Sequence, residues 1–116
     1  MTKLVNVVDR GHVRTITLNR PDKLNAIGAP MITELHAAMD MAEADDTVLV
    51  IIVRGAGKSF SSGFDLGEVE VAPEREVMRA MLKSDFDIIM RFWHSPKPTI
   101  SAIRGYALGG GFELAM

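Results

Sequence analysis

Two glycine-rich segments in this sequence each follow an apolar run, and the second ends close to a glutamate. The first lies in "IIVRGAGKSFSSGFDLG", residues 51–67, and continues from Gly57-Lys58-Ser59 into "SFSSGFDL". The second is "GYALGGGFE", residues 105–113, with Gly109, Gly110 and Gly111 in succession and Glu113 three residues after Gly110. Glycine lets a backbone approach a ligand closely and adopt positive φ. A helix beginning near Gly109 or Gly110 directs free N–H groups and positive dipole charge at whatever sits before it. One N–H from each segment could then converge on a single oxygen. Such an oxyanion hole is worth roughly 3–4 kcal/mol of transition-state stabilisation. Glu113, on the first turn of that helix, could act beside it as general acid or base. Two plainer readings stay open. Triple glycine also permits tight helix packing, and a glutamate there also complements the helix N-terminus.

Other chemistry is excluded by spacing. A phosphate-binding loop needs a glycine five residues before the Gly-Lys-Ser glycine. That position is Ile52, inside an apolar run. No G-x-G-x-x-G occurs in the chain. Lys58 therefore reads as a solvated loop lysine. His12 falls in a hairpin turn, His36 on a polar helix face and His94 in a proline-rich break, and none has ligand spacing, so no metal is expected. There is no cysteine, hence no thiolate nucleophile, disulfide or cysteine-built zinc site.

The elements that must position these residues alternate. Leu4 to Val8 and Val13 to Leu18 read as strands joined by "DRGH", a hairpin signal. "NRPDKLNAIGAP" is a loop. Pro30 opens a helix whose Met31, Leu35, Ala38, Met39 and Ala42 recur at helical spacing. Val48 to Val53 is a continuous apolar run, as in a strand buried on both faces. Glu74 to about Trp93 is helical, with Met78, Met81, Leu82, Phe86, Ile89, Met90 and Trp93 on one apolar face. Thr99 to Ile103 is a short strand, and the glycine segment after it turns into a helix. The order β-β-α-β-α-β-α predicts an α/β fold with crossover helices.

The 116 residues fit one domain or part of one, and 47 % hydrophobic residues suffice for a core. The sequence stops inside an amphipathic pattern with no capping residue, so it reads as the N-terminal part, residues 1–116, of a longer domain. A net charge of −2 with no basic run makes nucleic acid an unsuited partner. No stretch reaches the roughly 18–20 apolar residues that span a bilayer. No membrane partner and a cytoplasmic location are the expectations.

Three stretches, "ITLNRPDKLNAI", "VLVIIVRGAGKSFSSGFDL" and "PKPTISAIRGYALGGGFELAM", carry a resemblance to the crotonase, or enoyl-CoA hydratase/isomerase, superfamily over the whole chain. The resemblance implies a fold of repeated ββα units, here incomplete, an acyl-CoA thioester as ligand, and a homo-oligomer, trimeric or hexameric. It implies that the backbone N–H groups of Phe64 and Gly110 grip the thioester oxygen. Ser62, Asp65 and Leu66 match positions that contact the acyl-CoA, and Lys23, Leu24 and Ala26 match the loop along the CoA moiety. Glu113 matches the first catalytic glutamate of the hydratases, whose second glutamate falls beyond residue 116. Gly67 stands where some relatives carry a basic residue near the adenine, and Lys58 could lie near a CoA phosphate. Some of Met78 to Phe86 could line the acyl pocket. The implied activity is addition of water to the 2,3 double bond of an enoyl-CoA, with coenzyme A present only as part of the substrate and no other cofactor. An isomerase, another enolate chemistry, or an inactive fragment that only binds acyl-CoA or self-associates is the alternative. The 116-residue chain by itself is expected to be inactive.

Overall fold

The computed structural model describes residues 3–68 and 74–116. Strands β1 (Val5–Arg10) and β2 (Val13–Leu18) form an antiparallel hairpin across Gly11 and His12. Gly11 takes φ +60°, which the tight turn requires. A loop with a 3₁₀ turn at Pro21–Lys23 leads to helix α1 (Ala29–Ala44), then β3 (Val50–Gly55), helix α2 (Arg75–Trp93), β4 (Thr99–Ala102) and helix α3 (Gly110–Ala115). β2, β3 and β4 pair in parallel, so the sheet order is β1-β2-β3-β4. Parallel neighbours need crossovers, and α1 and α2 supply them. The element order matches the alternation in the sequence, and the fold is α/β.

One core forms where Met31, Leu35 and Met39 of α1, Ile88 and Phe92 of α2, and Leu114 of α3 meet Ile16, Leu18, Ile51 and Val53. Two charged side chains fasten the helices. Arg91 on α2 donates to Asp40 (2.6 Å) and Glu43 (2.8 Å) on α1. Lys97 donates to the Ala42 and Asp45 carbonyls at the end of α1, each at 2.7 Å. A lysine there satisfies carbonyls that the helix itself leaves unpaired.

Three expectations need correction. β3 starts at Val50 rather than Val48 and is buried on one face only, with Ile51, Val53 and Gly55 inside and Val50, Ile52 and Arg54 half-covered. The buried residues of all three helices join the first face in one core, so the run of β-branched residues reflects β propensity as much as double burial. α2 buries Ile88 and Phe92, whereas Leu82 (61 %), Phe86 (60 %) and Trp93 (69 %) stay exposed. Two stripes of this helix satisfy helical spacing, and periodicity alone cannot choose which one faces the core. β1 runs from Val5 to Arg10 rather than from Leu4 to Val8, whereas His36 lies on a polar face as read, half-buried with its Nδ1 3.3 Å from Arg91 Nη1.

Candidate active site

The two glycine segments leave the carboxyl ends of β3 and β4, the end where open parallel sheets present loops to ligands. Backbone pairing lays them side by side. Ser61 N–H donates to Tyr106 O (3.0 Å), and Leu108 N–H donates to Ser61 O (3.1 Å). On its other side the first segment pairs with Ile27, whose N–H donates to Gly63 O and whose carbonyl accepts from Asp65 N–H, both at 2.8 Å. Ile27 thus bonds to both neighbours of Phe64 and leaves the Phe64 N–H pointing away from it. Among the described residues, neither Phe64 N–H nor Gly110 N–H donates to a protein acceptor. α3 is described over six residues, so the amide itself, rather than the dipole of a long helix, is the group on offer.

The approach of the two segments depends on glycine. Gly63 has φ +108°, and a Cβ there would lie 2.9 Å from Leu108 O and 3.4 Å from Gly110 N. A Cβ at Gly110 would overlap the Phe64 ring, which rests on its Cα. Gly63→Ala should therefore combine backbone strain with a backbone clash and destabilise the chain by about 1–3 kcal/mol. Urea unfolding would measure this; an unchanged midpoint would mean that the segments have room to separate.

Sequence reading missed the framework beneath these loops. Asn25 is fully buried, with φ +55°. Its Oδ1 accepts from Arg20 N–H (2.8 Å), and its Nδ2 donates to Ala56 O (2.8 Å) and Ser59 O (2.9 Å). Asparagine tolerates the left-handed region better than most residues, and that was the one local signal available. Ser61, also fully buried, donates its Oγ–H to Asn25 O (2.8 Å) and accepts Gly63 N–H (3.1 Å). Arg20 reaches Asp65 at 2.6 Å, and Asp65 also accepts from Gly67 N–H at 2.9 Å.

The Arg20 guanidinium first, and then the Gly67 amide, hold the Asp65 carboxyl below its ordinary value of 3.8. A carboxylate depressed in this way stabilises the fold above the unfolded value, and the contribution disappears as pH falls through the depressed folded value. Asp65→Asn should accordingly be less stable than wild type at about pH 6, and the gap should close as pH falls from the unfolded value through the depressed folded one. Asp9 and Asp45 are depressed as well, but both proteins keep them, so the difference isolates Asp65. A gap that stays constant with pH would show that the carboxylate is not held by charge.

The remaining expected site residues spread over this framework. Lys23 and Leu24 are exposed in the loop before α1, and Ala26 is half-buried beside them. Ser62 joins that loop to the Phe64 segment through its N–H, which donates to Leu24 O (2.9 Å). Leu66 is 82 % exposed and forms the lip of a hollow of about 420 Å³. Ile27, Ile32, Phe64, Met78 and Met81 supply its apolar walls, and Asp65 also borders it. Leu82 lines this hollow, while Phe86 does not. Glu113 is exposed and borders a second hollow of about 310 Å³ with Trp93, Met90, Ser101 and Leu114. The carboxylate and the Phe64 ring thus open on different hollows, although Glu113 is one helical turn from Gly110. Lys58 is exposed in its loop. Among the described residues, no three His, Cys, Asp or Glu side chains are grouped to hold a metal ion. No described helix is long and apolar enough to cross a membrane.

The fold is an α/β sheet with two paired glycine loops at the carboxyl ends of parallel strands, each carrying one amide that no described acceptor engages. The chain belongs to the enoyl-CoA hydratase/isomerase family, whose sequence pattern matches residues 9–116. It is 38 % identical over 111 residues to a probable mitochondrial enoyl-CoA hydratase of Dictyostelium discoideum, covering 92 % of this chain and 38 % of that protein. It is 35 % identical over 120 residues to 4-chlorobenzoyl coenzyme A dehalogenase-2 of Arthrobacter sp., covering 97 % of this chain and 42 % of that one. A crystal structure of an enoyl-CoA hydratase/isomerase from Xanthobacter autotrophicus Py2 superposes with a TM-score of 0.92 at 49 % identity, covering 98 % of this chain and 43 % of the other. The chain therefore spans about two fifths of the length of the relatives it matches.

Proposed function

We propose that this chain carries the thioester-gripping part of an enoyl-CoA hydratase. The Phe64 and Gly110 amides donate to the thioester oxygen and stabilise it as the enolate forms. Glu113, on the neighbouring hollow one helical turn from the Gly110 amide, positions water and moves a proton where the thioester end of the acyl chain meets that amide, so that hydroxyl adds at C3 and hydrogen at C2. The acyl chain enters the hollow walled by Ile27, Ile32, Phe64, Leu66, Met78 and Met81, whose volume is within the usual range for a ligand pocket. Lys23, Leu24 and Ala26 lie along the CoA moiety, and Ser62, Asp65 and Leu66 flank the first donor. Water addition is redox-neutral, so coenzyme A within the substrate is the one cofactor group the reading calls for. A homo-oligomer in the cytoplasm belongs to the same reading.

The observation that carries the proposal is the pair of unengaged amides on loops hydrogen-bonded to each other. A dehalogenase among the relatives favours a second reading, in which the same amides serve another reaction of a CoA thioester. Product analysis separates the two. Given crotonyl-CoA, the complete gene product should form 3-hydroxybutyryl-CoA. Conversion of a 3-enoyl-CoA to its 2-enoyl isomer without hydration, or inertness toward both, would remove the hydratase reading. The 116-residue chain on its own, which spans about two fifths of the length of its relatives, should show no turnover.

A further inference from the structure

We propose that Ser61 is the positioning residue that sets the two oxygen-binding amides relative to each other, an inference that rests on the oxyanion reading above. Four observations converge on this one residue. Its hydroxyl, fully buried, bonds to Asn25 O on one side and Gly63 N–H on the other, fixing the turn that aims Phe64. Its backbone N–H and C=O bond to Tyr106 and Leu108, fixing the approach of the segment that carries Gly110. Its body is the stop against which α3 rests, since a Cβ on Gly111 would stand 2.6 Å from Ser61 O and 2.8 Å from Ser61 Cβ. Both hydroxyl partners lie in the loop framework and not in the apolar core. Burying a hydroxyl is unfavourable unless it is paired, so a residue serving only to fill space would be alanine. Ser61 is not itself among the positions assigned to substrate; it acts through Phe64 and Gly110.

The test compares Ser61→Ala with Met39→Ala, a buried α1 residue remote from both loops and both hollows, at matched overall stability. Ser61→Cys, which keeps the volume with a much weaker donor, stands in if the alanine variant does not fold. Two readouts are needed. In ligand-free amide hydrogen exchange, Ser61→Ala should speed exchange at Gly63 and at Leu108 together by at least about tenfold, a factor matching loss of one ordinary hydrogen bond. Met39→Ala should leave that pair unchanged relative to the rest of the chain. Acceleration at Gly63 alone would overturn the proposal, because the hydroxyl would then hold only its own turn. The second readout is the enolate fraction of bound acetoacetyl-CoA, followed by its ultraviolet absorbance. Ser61→Ala should bind CoA as wild type does but lose enolate by at least about tenfold, again the scale of one hydrogen bond. Wild-type enolate in Ser61→Ala would also overturn it. If wild type itself fails to polarise acetoacetyl-CoA, the acyl-CoA reading falls, while the exchange data still decide whether Ser61 couples the loops.

Discussion

Replacing Glu113 by glutamine should lower kcat for hydration of crotonyl-CoA by at least about 100-fold, with acyl-CoA affinity nearly unchanged. Glutamine keeps the shape and hydrogen-bonding reach of the side chain and removes its capacity to take and return a proton. General acid–base catalysis contributes about 100- to 10,000-fold, so even the lower limit is easily measured. The assay belongs in a protein of the full length of the relatives, of which this chain spans about two fifths. Glu113 sits on the first turn of α3, three residues after the Gly110 amide, so no other element has to move to keep the two together. Steady-state kinetics on the purified variant checks the expectation. A near wild-type rate would reduce Glu113 to a charge complementing the end of a short helix, and the water-adding group would have to be sought elsewhere.

The largest stability effect should come from Asn25→Ala. Three hydrogen bonds of a fully buried side chain disappear, to Arg20 N–H, Ala56 O and Ser59 O, and a group left unpaired and buried costs roughly 1–3 kcal/mol, less where it is part-exposed. Alanine at φ +55° adds strain of about 1 kcal/mol or more. A total of about 3 kcal/mol or more corresponds to a fall in Tm of at least about 10 °C for a domain of this size. Asn25→Asp should also be severe, because it loses both Nδ2 bonds and buries a carboxylate facing two carbonyls. Thermal unfolding followed by circular dichroism measures both. A change of about 2 °C or less in Asn25→Ala would mean that Arg20–Asp65 and the Ile27–Phe64 pairing hold the loops without it.

These two residues mark what the sequence made legible. Glu113 and Gly110 share nine residues of chain with the other glycines, and their relation follows from local helical geometry. The same holds for β2, whose bounds Val13–Leu18 are as read, and for α1, whose buried stripe gains only Ile32. Asn25 reaches partners 31 and 34 residues away, and Ser61 reaches Asn25 across 36. No spacing rule announces such contacts, since polar side chains in "NRPDKLNA" and "SFSSG" look like ordinary loop residues until the fold brings them together. α2 failed for another reason. Its longer apolar stripe runs through Met78, Leu82, Phe86, Ile89 and Trp93, yet the packing of α1 and α3 alongside seats Ile88 and Phe92 in the core. The likeness of the two glycine loops raised their convergence and the family resemblance strengthened it; their actual contact, Ser61 with Tyr106 and Leu108, is long-range.

The account depends on both amides meeting one oxygen, and a crystal structure of the complete gene product with acetoacetyl-CoA tests that directly. The thioester oxygen should lie within about 3 Å of both Phe64 N and Gly110 N, the range of an ordinary hydrogen bond. Two amide nitrogens more than about 6 Å apart, too far for both to bond one oxygen, would contradict it. So would a thioester oxygen bound elsewhere, for example beside Lys58.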